Sequence, residues 1–143
     1  MIKDRKVWMG LLARAKPARL ATLLPNLPPH HMLRGPEVGA VMVQGRIGGT
    51  GQPFNLGEMT VTRCSVRIAS GQVGHAHVQG RDKAHATRAA VVDALMQTEG
   101  AAALQDQVLA QLTAEETGAR ALRASKAAAT KVEFFTLVRG EDQ

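Results

Sequence analysis

The chain has 143 residues, 45% of them hydrophobic and 21% charged, proportions of a globular protein long enough to bury a core without disulfides or metal staples. No apolar run approaches the roughly 20 residues of a membrane-spanning helix. The single cysteine, Cys64, excludes an intrachain disulfide and any all-cysteine zinc or iron–sulfur site within one chain. The N-terminus shows no apolar stretch followed by a small-residue cleavage site, so the expected location is the cytoplasm and the expected organisation is one domain, 1–143. Formal net charge is +6, and residues 1–20 hold six basic side chains against one acidic, a local +5. Such a patch attracts polyanions, but three Phe, one Trp and no Tyr leave base-stacking platforms scarce. An acidic protein partner fits it better than nucleic acid.

In chain order, Asp4 is placed to cap a helix whose apolar positions Trp8, Leu11, Leu12 and Ala15 recur at helical spacing. Pro17 suits the first turn of a second, short helix, stopped by Pro25, Pro28 and Pro29. From His31 to Arg81 the signal is β: Met32–Arg34 and Val38–Arg46 read as two strands around Gly35-Pro36. Glu58–Ala69 alternates and turns at Ser70-Gly71 into Gln72–Gly80. Asp82 caps the next helix, with Thr87, Val91 and Leu95 on one face and an end near Gly100. Leu104, Val108 and Leu112 mark a further helix. Thr113-Ala114-Glu115-Glu116 reads as a capping box opening an alanine-rich helix to about Thr130. Lys131–Val138 closes the chain as a strand. The class is α+β, an antiparallel meander of about four strands flanked by N-terminal and C-terminal helices with a short C-terminal strand.

Five glycines fall between Gly45 and Gly57, with Arg46, Gly48, Gly49, Thr50 and Gly51 the candidates to touch a phosphate or a partner. Successive glycines expose N–H groups to an anion. No Gly-Lys-Ser/Thr follows, however, and the next element is a strand, without the helix dipole of a nucleotide loop. If Ala69 opposes Gln72 across the hairpin, Cys64 lies opposite His77 and Val66 opposite His75, placing Cys64, His75 and His77 on one face. Those atom types suit zinc, or a Cys–His nucleophilic pair, but a fourth metal ligand is missing and hydrogen-bonded core histidines explain the pattern as well. In the same register Arg63 and Arg67 share the other face about 13 Å apart, suiting carboxylate or phosphate recognition as well as a solvated surface. Arg81 is the residue of Gln79-Gly80-Arg81-Asp82 that a turn plus N-cap leaves unexplained. Phe134 and Phe135 point to opposite faces of the last strand, so one ring fills the core and the other needs a cover.

Several ordered motifs combine these residues: Arg5 to Trp8-Met9, Arg46-x-Gly48-Gly49-Thr50-Gly51, Thr62-Arg63-x-x-Val66-Arg67, Val78-Gln79-Gly80-Arg81-Asp82-Lys83-x-His85-Ala86, Asp93-Ala94-Leu95-Met96-Gln97 and Phe134-Phe135-Thr136-x-Val138-Arg139-Gly140. Together they resemble the PhnG family over nearly the whole chain. The resemblance implies a subunit of the bacterial carbon–phosphorus lyase core complex in phosphonate catabolism. With subunits H, I and L, such a subunit takes part in replacing the adenine of ATP by a phosphonate at the ribose anomeric carbon, giving α-D-ribose 1-methylphosphonate 5-triphosphate. It further implies that the nucleosidase chemistry belongs to subunit I and the radical cleavage to subunit J. This chain then has no catalytic residue, metal or cofactor of its own, ATP and phosphonate being substrates of the assembly. The expected state is a two-fold symmetric hetero-oligomer with subunits I, H, J and L, without nucleic acid or membrane. His75, His77 and Cys64 depart from the family pattern, which weakens the metal reading. Two roles remain for the chain: an assembly subunit that shapes a neighbour's active site, or one that supplies phosphate ligands from Arg46 and the glycine loop. A stand-alone small metal-binding enzyme is the third, from another class.

Overall fold

A computed structural model describes Ile2 and residues 4–132. The chain divides into two compact units, 1–113 and 114–143. The first holds helices α1 (Arg5–Arg14) and α2 (Pro17–Leu23), strands β1 (His30–Arg46), β2 (Pro53–Ile68) and β3 (Val73–Gln79), helix α3 (Lys83–Leu95), the short α4 (Ala101–Leu104) and a π-helical turn, Gln105–Leu109. Helix α5 (Ala110–Ala129) follows, and the second unit begins within it. The sheet is antiparallel in the order β1-β2-β3, so the class is α+β as expected. The expected C-terminal strand, with Phe134 and Phe135, lies outside the described residues.

The sheet has three strands where the sequence suggests four, because Gly35-Pro36 does not interrupt β1. Its register slips between Met32 and Arg34 and again between Arg34 and Glu37, so the chain bulges and continues. Proline is tolerated there because β1 is an edge strand and Pro36 has no donor to lose on its open side. The capping box at Thr113 does not form either. Thr113 lies inside the helix and its hydroxyl donates back to the Leu109 carbonyl at 2.7 Å, a competing use of the same side chain. The two expected C-terminal helices therefore run together from Ala101 to Ala129, through the π turn. Both aspartate caps hold: Asp4 accepts from the Lys6 N–H at 2.9 Å and Asp82 from the His85 N–H at 2.8 Å, each worth about 1 kcal/mol.

The core lies between one face of the sheet, with Cys64, Val66, Ala76 and Val78, and the buried stripes of α1 and α3, with Trp8, Leu11, Leu12, Ala86, Ala90 and Val91. Leu20 of α2 and Leu104, Val108 and Leu109 close it. Helix α3 touches β3 backbone to backbone. A Cβ on Gly74 would collide with the Ala90 carbonyl oxygen and stand 2.6 Å from the Ala94 nitrogen. The alanines at 86, 90 and 94, one helical turn apart, make that approach possible.

One carboxylate ties these layers. Asp93 of α3, fully buried, accepts two hydrogen bonds from the Arg5 guanidinium, from Nε at 3.0 Å and Nη2 at 2.7 Å. It also accepts from Trp8 Nε1 at 2.9 Å and from the His75 backbone N–H at 2.8 Å. The Asp93 hydrogen bonds and charge raise the Arg5 pKa, against the opposing effect of its own partial burial. A second buried polar contact joins α1 to α3: His85 Nε2 donates to the Leu12 carbonyl at 2.9 Å, while its Nδ1 has no partner among the described residues. Burial lowers the His85 pKa below its ordinary 6.5, only partly offset by the Leu12 contact.

Two outcomes follow from this packing. Gly74→Ala forces helix and sheet apart and should destabilise the first unit by about 3 kcal/mol or more, read as a lower midpoint in urea. Because the unfolded chain binds a proton at residue 85 more readily than the folded one, the contribution of neutral His85 is complete above about pH 6.5 and is lost as pH falls through it. Urea midpoints measured between pH 7.5 and 5.5 should fall on acidification, and His85→Gln, whose amide can still donate to Leu12 but cannot charge, should flatten that slope.

Candidate functional site

The β2–β3 hairpin sets which side chains meet. Arg67 pairs with Val73, Ser65 with His75, Cys64 with Ala76 and Arg63 with His77, one residue away from the register expected with Ala69 opposite Gln72. The connection is wider than a two-residue turn: the Ile68 N–H donates to the Gln72 carbonyl, and Gly71 takes the positive φ of 94°. A slip of one residue exchanges the faces of one strand relative to the other. Cys64 therefore faces the core while His75 and His77 face out, and the three cannot meet at one ion. Burial raises the Cys64 thiol pKa above its ordinary value, outweighing the Thr87 hydroxyl contact, so the thiol stays protonated and is a poor nucleophile. Among the described residues no group of three His, Cys, Asp or Glu side chains is placed to hold a metal.

What the true register gathers on the outer face is a basic patch. Arg63 and Arg67 stand there as expected, joined by His75, His77 and, across β1, by His31 opposite Arg67 and Glu37 opposite Arg63. Glu37 is shared by two guanidiniums, Arg34 at 3.6 Å and Arg63 at 3.7 Å. Ser65 Oγ and His75 Nδ1 are 2.8 Å apart. Arg67 has no carboxylate partner among the described residues. Three guanidiniums against one carboxylate leave a net +2 with the histidines neutral, on side chains that are mostly solvent-exposed. Arg81 is exposed in the turn between β3 and α3, where Gly80 takes φ 88°.

The glycine cluster occupies the tip of a long ribbon. Strand β3 pairs with β2 only as far as Val61, whereas β1 and β2 remain paired out to Arg46 and Pro53. Eight further residues of β2 (53–60) and seven of β1 (40–46) thus extend as two strands only, for about 25 Å. At the tip Ile47–Gly49 form a 3-10 turn with Gly48 and Gly49 at φ 62° and 85°. Arg46 donates from Nη1 to the Gly51 carbonyl at 3.1 Å, so this side chain clamps the tip, and Thr50 is exposed. Along the ribbon and its tip Met42, Ile47, Phe54 and Leu56 are 41–66% exposed.

Residues 3–140 match the family described as phosphonate metabolism protein PhnG. The chain belongs to the PhnG family. It is also 47% identical, over 99% of its own length and 92% of the relative's, to the alpha-D-ribose 1-methylphosphonate 5-triphosphate synthase subunit PhnG of Rhizobium meliloti (strain 1021). Two of the motifs that mark the family meet at Asp93, since Arg5 and Trp8 come from the first and Asp93 from the fifth. Sequence reasoning missed this contact. The available signal was one acid within the apolar run Ala89–Leu95, a place where a carboxylate survives only if it is paired. No helix among the described residues is long and apolar enough to cross a membrane.

Because the outer-face arginines are solvated, Arg63→Glu with Arg67→Glu should change folding stability by less than about 1 kcal/mol, read as a nearly unchanged urea midpoint. The same pair should weaken binding to any acidic partner surface steeply, and with a marked salt dependence. Unchanged co-purification of the double variant with whatever proteins co-purify with the parent chain would show that this face is only solvated.

Proposed function

We propose that this chain is an assembly subunit of an α-D-ribose 1-methylphosphonate 5-triphosphate synthase in phosphonate catabolism. In this reading it organises the complex and shapes a neighbour's active site, while a partner performs the chemistry. The assembly consumes ATP and a phosphonate and releases adenine, its other members being subunits H, I, J and L. The observation that supports this role is the β1–β2 ribbon. Isolated two-stranded ribbons are marginal in water, and this one displays large apolar side chains along its length, as a structure does when another surface covers it.

Met42→Asp with Leu56→Asp puts charge on two exposed ribbon positions, 54% and 66% accessible, and should leave the fold intact by circular dichroism while abolishing co-purification with the other subunits. Normal co-purification would overturn the assembly role. Arg46→Ala tests the tip separately. If the loop supplies phosphate ligands, the assembled variant complex should transfer ribose from ATP about 10²-fold more slowly. A parental rate in that complex leaves the tip as architecture.

A further inference from the structure

The two edges of the sheet are treated differently. Strand β1 is guarded by Pro36 and by its register slips, devices that prevent another strand from adding to an edge. Strand β3 has neither: seven residues pair with β2 without a slip, with no proline, lysine or bulge. The alternation of an antiparallel ladder sends the N–H and C=O of Gly74, Ala76 and Val78 toward β2 and those of Val73, His75, His77 and Gln79 away from it. Side chains of the helices already occupy the start of this outward row. Gln97 donates to the Val73 carbonyl at 2.9 Å, Arg5 reaches the same oxygen at 3.4 Å, and Asp93 takes the His75 N–H. The rest of the row, from the His75 carbonyl to the Gln79 N–H, has no hydrogen-bond partner among the described residues.

A groove of about 470 Å³ runs beside these free groups. Its far wall is α1, through Lys6, Met9, Gly10 and Ala13, residues at i, i+3, i+4 and i+7 on one helix face. The small side chains at 10 and 13 leave the space beside the strand unfilled. The floor is apolar, with Leu12, Ala76, Val78 and Ala89. Among the described residues no acid lines the groove, while Arg5, Lys6, His75 and His77 do.

We infer that β3 accepts a fourth strand, an extended segment of a partner subunit that alternates apolar and acidic side chains. Its backbone pairs with His75, His77 and Gln79. Residues opposite Ala76 and Val78 turn inward onto the apolar floor. The residue opposite His77 turns outward onto the basic face beside Arg63, where an acid is favoured and a base repelled. A second copy of this chain fits poorly, since its β3 carries no acidic side chain to meet the basic face.

This inference rests on the assembly reading and makes a residue-resolved demand. In the isolated chain the amide hydrogens of His77 and Gln79 should exchange rapidly, while those of Ala76 and Val78, bonded to β2, are protected. In the assembled synthase complex the His77 and Gln79 amides should slow about a hundredfold or more, as sheet amides that open only locally do. His77→Pro removes an outward N–H without touching the β2 ladder and should weaken assembly at least tenfold. Ala13→Leu, which fills the groove from a helix that tolerates leucine, should do the same if the proline variant fails to fold. An assembled complex whose His77 and Gln79 amides exchange as in the free chain overturns the added strand and leaves the assembly role standing. A chain that does not associate with the other subunits at all overturns both.

Discussion

The Asp93 carboxylate is the constraint on which the first unit depends. A fully buried carboxylate is tolerable only when its lone pairs are filled and its charge matched, and Asp93 meets both conditions by drawing on α1 twice and on β3 once. It thereby fixes three distances together: helix to helix through Arg5 and Trp8, helix to strand through the His75 N–H, and, through Arg5 and Gln97, the start of the outward edge of β3. Removing the acid would strand a guanidinium, an indole N–H and a strand amide at once. Gly74 complements it, because the bond from Asp93 to His75 requires α3 to approach the sheet more closely than any side chain at position 74 allows.

With α1 and α3 gathered at one end, the sheet is supported unevenly. There, the inner face is packed with small and branched side chains and the outer face keeps its arginines and histidines in solvent. At the other end the same two strands continue without a third strand, and apolar side chains that a core would cover stay exposed. The partition follows from the lengths of the elements, since β3 has seven residues and its partner β2 has sixteen. The helix that follows begins immediately after a glycine turn, so β3 cannot lengthen to cover the ribbon.

How much was legible depended on whether a feature is local. Helix starts at Asp4, Pro17 and Asp82 are local, each resting on a capping oxygen or a fixed φ within a few residues, and they were readable. The basic character of Arg63 and Arg67 was readable too. Their companions were not, because assigning His75 and His77 to a face required the hairpin register, and the register turned on a loop that closes from Ile68 to Gln72 where the residues suggested a tighter turn. That one-residue difference moved two histidines from the core to the surface and dissolved the candidate metal site.

The sequence by itself determined the α+β class, the order of the helices, the antiparallel hairpins and, through motifs spread along nearly the whole chain, the PhnG family. These are encoded by short-range periodicity, capping residues and identity at fixed positions, none of which needs distant parts of the chain to meet. Only the tertiary structure decided that Asp93 joins Arg5, Trp8 and His75, that Arg46 clamps its own loop, and that one sheet edge is guarded while the other is open. Those outcomes depend on pairing between residues as many as 88 positions apart, and a hydrogen bond across that separation leaves no periodic trace in the sequence.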